Sequence, residues 1–292
     1  MAGRRGGVLI MAAYIRIFKR KIMLWQMGVI LFLTILAVVS LLPLYWMIVT
    51  AFSKPALVLE FPPKIVPMPP TLENFIEILK LKNLLRWLFN TAVISVSVTV
   101  GGVFLASMAG YSLAKKKFPG NRVILWIYIG SMMIPMQVTL VPLYILVQKL
   151  KMVDTYWALI LPFLGTPWAV FMVKQFMASL PSELIESARI DGCSEWGIYA
   201  KIIFPLAIQG LTVLIVITFV TQWNSFLWVL IATNSVEMRN IQAGLSYFQE
   251  LYPMRYSDIM AASTLAAIPM IIVFFSFQKY FLKGITVGAL KG

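Results

Sequence analysis

The sequence predicts an all-α membrane protein with six transmembrane helices, and three observations carry that prediction. Hydrophobic residues make up 60% of the chain and charged residues 12%, against about half and about a quarter in soluble domains. Apolar blocks long enough to cross a bilayer recur along all 292 residues and leave no soluble remainder of domain size. Asp, Glu, Lys and Arg are missing from the centre of every block, where each would cost about 2.5 to 3.5 kcal/mol on insertion scales. We read one transmembrane domain over 1–292, with spans at about 26–52, 88–113, 123–147, 156–176, 208–233 and 259–280.

The first span follows a basic segment with Arg4, Arg5, Arg16, Lys19, Arg20 and Lys21, and no small-residue cleavage site comes after it, so it is expected to stay uncleaved. In 53–86, Pro55, Pro62, Pro63, Pro67, Pro69 and Pro70 hold the chain extended. Leu72, Phe75, Ile76 and Leu79 then alternate with Glu73, Glu77 and Lys80, as in an interfacial amphipathic helix capped by Thr71. A plain linker ending in a packed helix accounts for the same pattern. The second span stops at Lys115-Lys116-Lys117 and Pro119-Gly120. The third contains Pro135, Gln137 and Pro142, and the fourth Pro162 and Pro167. Prolines there free backbone carbonyls that something nearby must satisfy, either a pathway lining or an ordinary packing kink.

Between the fourth and fifth spans lies a polar stretch, 180–206, with four of the eleven carboxylates: Glu183, Glu186, Asp191 and Glu195. Local rules divide it into two short helices. Pro181 suits a first turn, Arg189 a last turn, and Gly192 a left-handed stop. Ser194 caps the second helix, which is expected to end near Pro205. Leu180, Leu184, Ala188 and Trp196 form an apolar stripe that wants a partner surface. A loop at 234–258 carries Arg239, Tyr247, Phe248, Glu250, Tyr252 and Arg255, and the sixth span runs into a Lys/Gly tail.

Six spans put both termini on one side. Sixteen basic residues fall on that side and nine on the other, so the positive-inside rule places the termini and the 180–206 stretch in the cytoplasm. The net charge of +14 lies at membrane flanks without interleaved stacking aromatics, which argues against nucleic acid as a partner.

The chain has no His and a lone Cys193, which leaves no metal-ligand set and little for acid-base catalysis. No Gly-x-x-x-x-Gly-Lys-Ser/Thr loop occurs, so any ATP must be bound elsewhere. The uncharged span interiors also argue against an ion-coupled carrier acting alone. Polar residues in the spans, Gln137, Thr139, Thr218, Thr221, Gln222, Asn224 and Ser225, suit the passage of a neutral, hydroxyl-rich solute, with Trp223 as an aromatic face. Gln137, Gln222, Trp223 and Asn224 are the pathway candidates, and interhelical hydrogen bonding is the competing explanation.

Glu186-Ser187-Ala188, three residues, Gly192, nine residues and then Ile202-Ile203-Phe204-Pro205 resemble the coupling loop of ATP-binding-cassette (ABC) importer permeases. Ser187 and Phe204 depart from the Ala and Leu of that pattern. The blocks 181–192, Trp223–Trp228 and 277–292 resemble the MalG-like branch of sugar importers. The resemblance implies a type I ABC importer permease fold with cytoplasmic coupling helices. It assigns ATPase coupling to Glu186, Ser187, Ala188, Asp191, Gly192, Ile202 and Pro205. It gives binding-protein contact to the external loop with Tyr247, Phe248 and Tyr252, and reach toward the ATPase to the tail at 283–292. It further implies a second homologous permease, two ATPase subunits holding ATP and magnesium, an extracytoplasmic solute-binding protein, and a place in a bacterial or archaeal cytoplasmic membrane. The cargo it implies is a sugar or oligosaccharide, with glycerol phosphate or peptide as alternatives.

Overall fold

Long apolar runs with few internal breaks make this an all-helical chain; the computed structural model describes residues 3–54, 65–252 and 255–289, with side chains for 25–54, 65–81, 83–208, 210–252 and 255–278. The expectations for Pro55, Pro62 and Pro63, for the basic side chains before Trp25, and for the tail side chains at 283–292 lie outside the described residues. Among the described residues there is no strand.

Helix α1 (Gly3–Ala51) stands exposed from Trp25 to Trp46 and buries only its end, at Val49, Thr50 and Ala51. Helix α2 (Glu73–Lys80) starts where the Thr71 hydroxyl accepts the Glu73 N–H at 3.1 Å. Its inward face differs from the expected stripe. Asn74 and Ile78 are buried, while Leu72, Ile76 and Leu79 are exposed. Asn74 is inside because its amide donates to the carbonyls of Ala51 and Ser53, both at 2.8 Å, which closes the end of α1.

Helix α3 (Lys82–Lys115) is the central post, packed against α7 (Pro167–Ala178) and α10 (Phe204–Trp223). Gly102, Ala106 and Gly110 recur every fourth residue on it, and a Cβ added at Gly110 would sit 2.7 Å from a Val173 methyl. Small residues at this spacing let two membrane helices approach closely.

The expected third span is two helices, α4 (Asn121–Met132) and α5 (Met136–Lys149), meeting at 104°. Pro135 explains the break: it has no N–H to donate, and it holds the residue before it in an extended conformation. Helix α6 (Tyr156–Ile160) passes through a short 3-10 turn, Leu161–Phe163, before α7. Pro162 and Pro167 stand at the starts of the 3-10 turn and of α7 rather than kinking a continuous helix.

The expected fifth span is also divided. Helix α10 stops at Trp223, and α11 (Leu227–Ala232) follows. The Asn224 amide bonds the Val220 carbonyl at 2.9 Å, competing with helix continuation. The expected outer loop contains a 3-10 turn, Val236–Met238, and α12 (Ile241–Leu251), whose first turn is capped by Asn240 accepting the Ala243 N–H at 3.0 Å. Helix α13 (Tyr256–Ala289) closes the chain.

By length and composition four helices can cross a membrane, and six segments can do so if each sharply bent pair counts as one span.

Candidate functional site

Two regions gather the candidate residues, and α3 runs between them. The first is the 180–206 stretch. Its helix α8 (Glu183–Ile190) ends with the Gly192 N–H on the Arg189 carbonyl at 3.0 Å and the Cys193 N–H on the Ala188 carbonyl at 2.9 Å. That pair of bonds is a Schellman ending, and Gly192 occupies the left-handed position it demands, φ +77°. Ser194 then caps α9 (Glu195–Ile198), accepting the Gly197 N–H at 3.1 Å.

The helix does not end near Pro205. A π turn over Tyr199–Ile203 carries it on into α10, with the Phe204 N–H reaching back to the Tyr199 carbonyl, and the segment bends by 72° between Ile208 and Gly210. The wider turn just ahead of Pro205 is a conformation that accommodates a residue with no donor.

The inner face of this loop is also turned from the expected stripe. Ile185 and Ala188 are buried against Tyr111, Leu113, Ile198 and Tyr199. Leu184 and Trp196 are exposed, and Ile190 is 87% exposed. Ala188 is therefore small because it fits a packed interior. Glu186, Ser187, Asp191, Gly192 and Pro205 lie on the surface and Ile202 is half-buried. Glu186 makes no ion pair among the described residues.

Other charges fix the loop. Glu195 pairs with Arg189 and with Lys116 at the end of α3. The Lys115 ammonium donates to the Leu180 carbonyl at 2.5 Å and lies 3.2 Å from the Ser182 hydroxyl. Burial, with the Arg189 guanidinium nearby, holds the Lys116 ammonium below the usual lysine range. Beneath them the Ser107 and Tyr199 hydroxyls share a buried hydrogen bond of 2.5 Å, joining α3 to the π turn. Sequence reasoning takes Lys115 and Lys116 only as a membrane stop. The available signal is a lysine run at one helix end with a carboxylate-rich stretch elsewhere.

The second region is a cavity of about 400 Å³ where three chain breaks converge: before α5, before α7 and after α10. Five of the polar span residues picked out from sequence line it: Gln137, Thr218, Thr221, Gln222 and Ser225. Thr166 joins them, and Phe163, Trp168, Phe226 and Trp228 supply aromatic wall. Among the described residues, no Lys, Arg, Asp or Glu contributes to the lining.

Two of the four pathway candidates are not part of that lining. Trp223 is 3% exposed and its indole N–H donates to the Ala266 carbonyl at 3.1 Å, between α10 and α13. Asn224 is exposed and engaged with Val220 and Gln242. Thr139 turns its hydroxyl to the Met136 carbonyl.

At the opposite end of the chain, the residues expected at the binding-protein surface divide. Phe248 is a core residue, 3% exposed, because it is on the buried face of amphipathic α12. Tyr247 is half-buried with the Arg239 guanidinium 4.1 Å from its ring centre, and Tyr252 is exposed.

Residues 102–287 match the family described as binding-protein-dependent transport system inner membrane component. The chain is 40% identical over 207 residues to the arabinooligosaccharides transport system permease protein AraQ of Bacillus subtilis, covering 71% of this chain and 74% of that protein. It is 33% identical over 264 residues to the trehalose/maltose transport system permease protein MalG of Thermococcus litoralis, covering 88% and 94%. It is 32% identical over 200 residues to the sn-glycerol-3-phosphate transport system permease protein UgpE of Yersinia enterocolitica, covering 68% and 71%. In fold it is similar to a chain of a bacterial ABC transporter involved in the import of the acidic polysaccharide alginate, with a TM-score of 0.80 over 88% of this chain and 96% of that one at 21% identity. With its all-helical architecture, its apolar spans and a family match over most of its length, the chain belongs to the inner membrane components of binding-protein-dependent transport systems, the permeases of type I ABC importers.

Proposed function

We propose that this permease passes a neutral sugar or oligosaccharide along the cavity beside α10, and that the 180–206 loop takes its power stroke from a separate ATPase subunit. One observation carries the reading. The loop is fastened to α3 by Lys115, Lys116 and the Ser107–Tyr199 bond, and α3 packs on α7 and α10, which help wall the cavity. A push on the exposed Leu184, Ile190 and Trp196 is then delivered to the cavity walls through packed helices. Glu186, Ser187, Asp191 and Gly192 form the rim of that contact, with Ala188 and Ile202 setting its shape from behind and Pro205 exposed at the start of α10.

The complex has a second homologous permease, two ATPase subunits that hold ATP and magnesium, and an extracytoplasmic binding protein facing Tyr247 and Tyr252. Both termini and the coupling loop lie in the cytoplasm. The uncharged cavity lining favours a neutral cargo over a glycerol phosphate, which would need a cation to replace its hydration. The test is uptake into proteoliposomes holding the whole complex. Import of a neutral oligosaccharide that requires ATP and the binding protein and stops with vanadate supports the reading; import by the solitary chain, driven by an ion gradient, overturns it.

A further inference from the structure

Resting on the reading just given, we infer that this subunit itself holds a sugar-ring site in the cavity, with Gln222 and Thr218 as hydrogen-bonding residues and Trp168 as the stacking surface. The first support is a set of polar side chains on the cavity wall that are left free. Thr212, Thr233 and Thr264 return their hydroxyls to their own backbone, at Ile208, Val229 and Met260, whereas the cavity hydroxyls, like the buried Ser95 and Thr99 hydroxyls of α3, do not. Among the described residues, the side chains of Gln137, Thr166, Thr218, Thr221, Gln222 and Ser225 make no hydrogen bond within the chain. Gln222 and Thr218 are 6% and 7% exposed and line the cavity, with the exposed Gln137 and Thr221 beside them. Amides and hydroxyls left unpaired on a cavity wall offer both donors and acceptors to a polar solute that enters it.

The buried indoles of Trp87, Trp223 and Trp228 donate to the carbonyls of Val236, Ala266 and Ala158. Trp168, half-buried on the cavity wall, donates to none among the described residues, as is also true of the exposed Trp126, Trp157 and Trp196. A free indole beside two free amides and several free hydroxyls is the complement of a ring with an apolar face and an equatorial belt of hydroxyls. The volume of about 400 Å³ falls in the range of small-molecule sites. An apolar helix of a partner permease packed into the same space would strand those polar groups, so it is the less suitable occupant. The lack of cations sets the specificity: a uronate or sugar phosphate entering here finds no countercharge.

The experiment uses the complete transporter in proteoliposomes with Gln222→Leu, Thr218→Val and Trp168→Ala, and the probes maltose, arabinobiose and a galacturonate disaccharide. Uptake at saturating binding protein is read beside binding-protein-stimulated ATP hydrolysis, and direct calorimetric binding to the purified complex is read without binding protein. Loss of one buried hydrogen bond or of the stacking surface should lower uptake and direct binding of a neutral disaccharide about tenfold, while stimulated hydrolysis stays within about twofold of the parent. Gln222→Arg should bind the galacturonate disaccharide more tightly than the parent complex does. Unchanged uptake and binding in all three variants overturns the inference. So does a collapse of complex assembly in all three, which would mean that a partner helix fills the space. A parent complex that binds a neutral disaccharide but imports none would instead count against the importer reading and leave the site standing.

Discussion

Glu195 is the common anion of two cations on different helices: its carboxylate accepts Arg189 Nε at 3.0 Å and Nη2 at 2.9 Å, and it also pairs with Lys116. Arg189 ends α8 and Lys116 follows α3, so one carboxylate holds the loop together and ties it to the central post. Glu195 is more than half exposed, and a pair of that kind contributes at most about 1 kcal/mol to stability. Glu195→Gln is therefore expected to leave thermal stability almost unchanged while uptake per ATP hydrolysed falls severalfold. The swap Glu195→Lys with Lys116→Glu should restore part of that ratio, measured as paired uptake and phosphate release.

The left-handed Gly192 ends α8 on the exposed surface proposed to meet the ATPase. Gly192→Pro removes the N–H on Arg189 and forbids φ +77°. Membrane insertion should persist while ATP hydrolysis continues without uptake. Glu186→Lys, which reverses charge on the same surface without touching the backbone, should uncouple in the same way. Normal uptake by both variants in proteoliposomes would remove the loop from the coupling path.

Where α3 meets α7, a Cβ at Gly110 would lie 2.7 Å from Val173 Cγ1 and 2.9 Å from the Lys174 nitrogen. Gly110→Ala should lower stability by about 1 to 3 kcal/mol through overpacking. Adding Val173→Ala should recover only part of it, because the backbone contact remains. Melting of the detergent-purified complex reads both effects.

Asn90 holds the far end. Its amide donates to the Glu237 and Arg239 carbonyls at 2.7 and 2.8 Å and accepts the Tyr156 hydroxyl at 2.6 Å. Asn90→Ala leaves three polar groups without their partner, at about 1 to 3 kcal/mol for a buried group. Hydrogen exchange across 236–241 should rise more than exchange in the 180–206 loop.

Trp223 separates a structural tryptophan from a transport one. Trp223→Phe loses the bond to Ala266 and should cost about 1 kcal/mol, with the uptake rate of a neutral disaccharide unchanged. A fall in that rate matching Trp168→Ala would return Trp223 to the pathway.

Features set by neighbours in sequence are legible in the sequence itself. Gly192, Ser194 and Thr71 act where local capping rules put them, because each bond spans at most five residues. The polar residues of the cavity are legible as well, since Gln222 and Thr218 stand out against an apolar span. What escapes is whatever depends on a distant partner. Lys116 meets Glu195 only through the fold. Trp168 gives no contrast inside an apolar block, and nothing near Trp223 in sequence says that its indole meets α13 while the Trp228 side belongs to the cavity. The inner face of α8 is misjudged by one position, Ile185 instead of Leu184, because the stripe alone does not say which neighbour it leans on.

The π turn at Tyr199–Ile203 lies between the proposed ATPase-facing loop and the proposed cargo cavity. It inserts extra backbone between the end of α9 and the start of α10, and the 72° bend between Ile208 and Gly210 follows it, so the turn and the bend together decide the azimuth at which Thr218 and Gln222 leave their helix. Deleting one residue from the turn would shift the helical phase entering that bend by about 100° while composition, charge and span length stayed nearly the same.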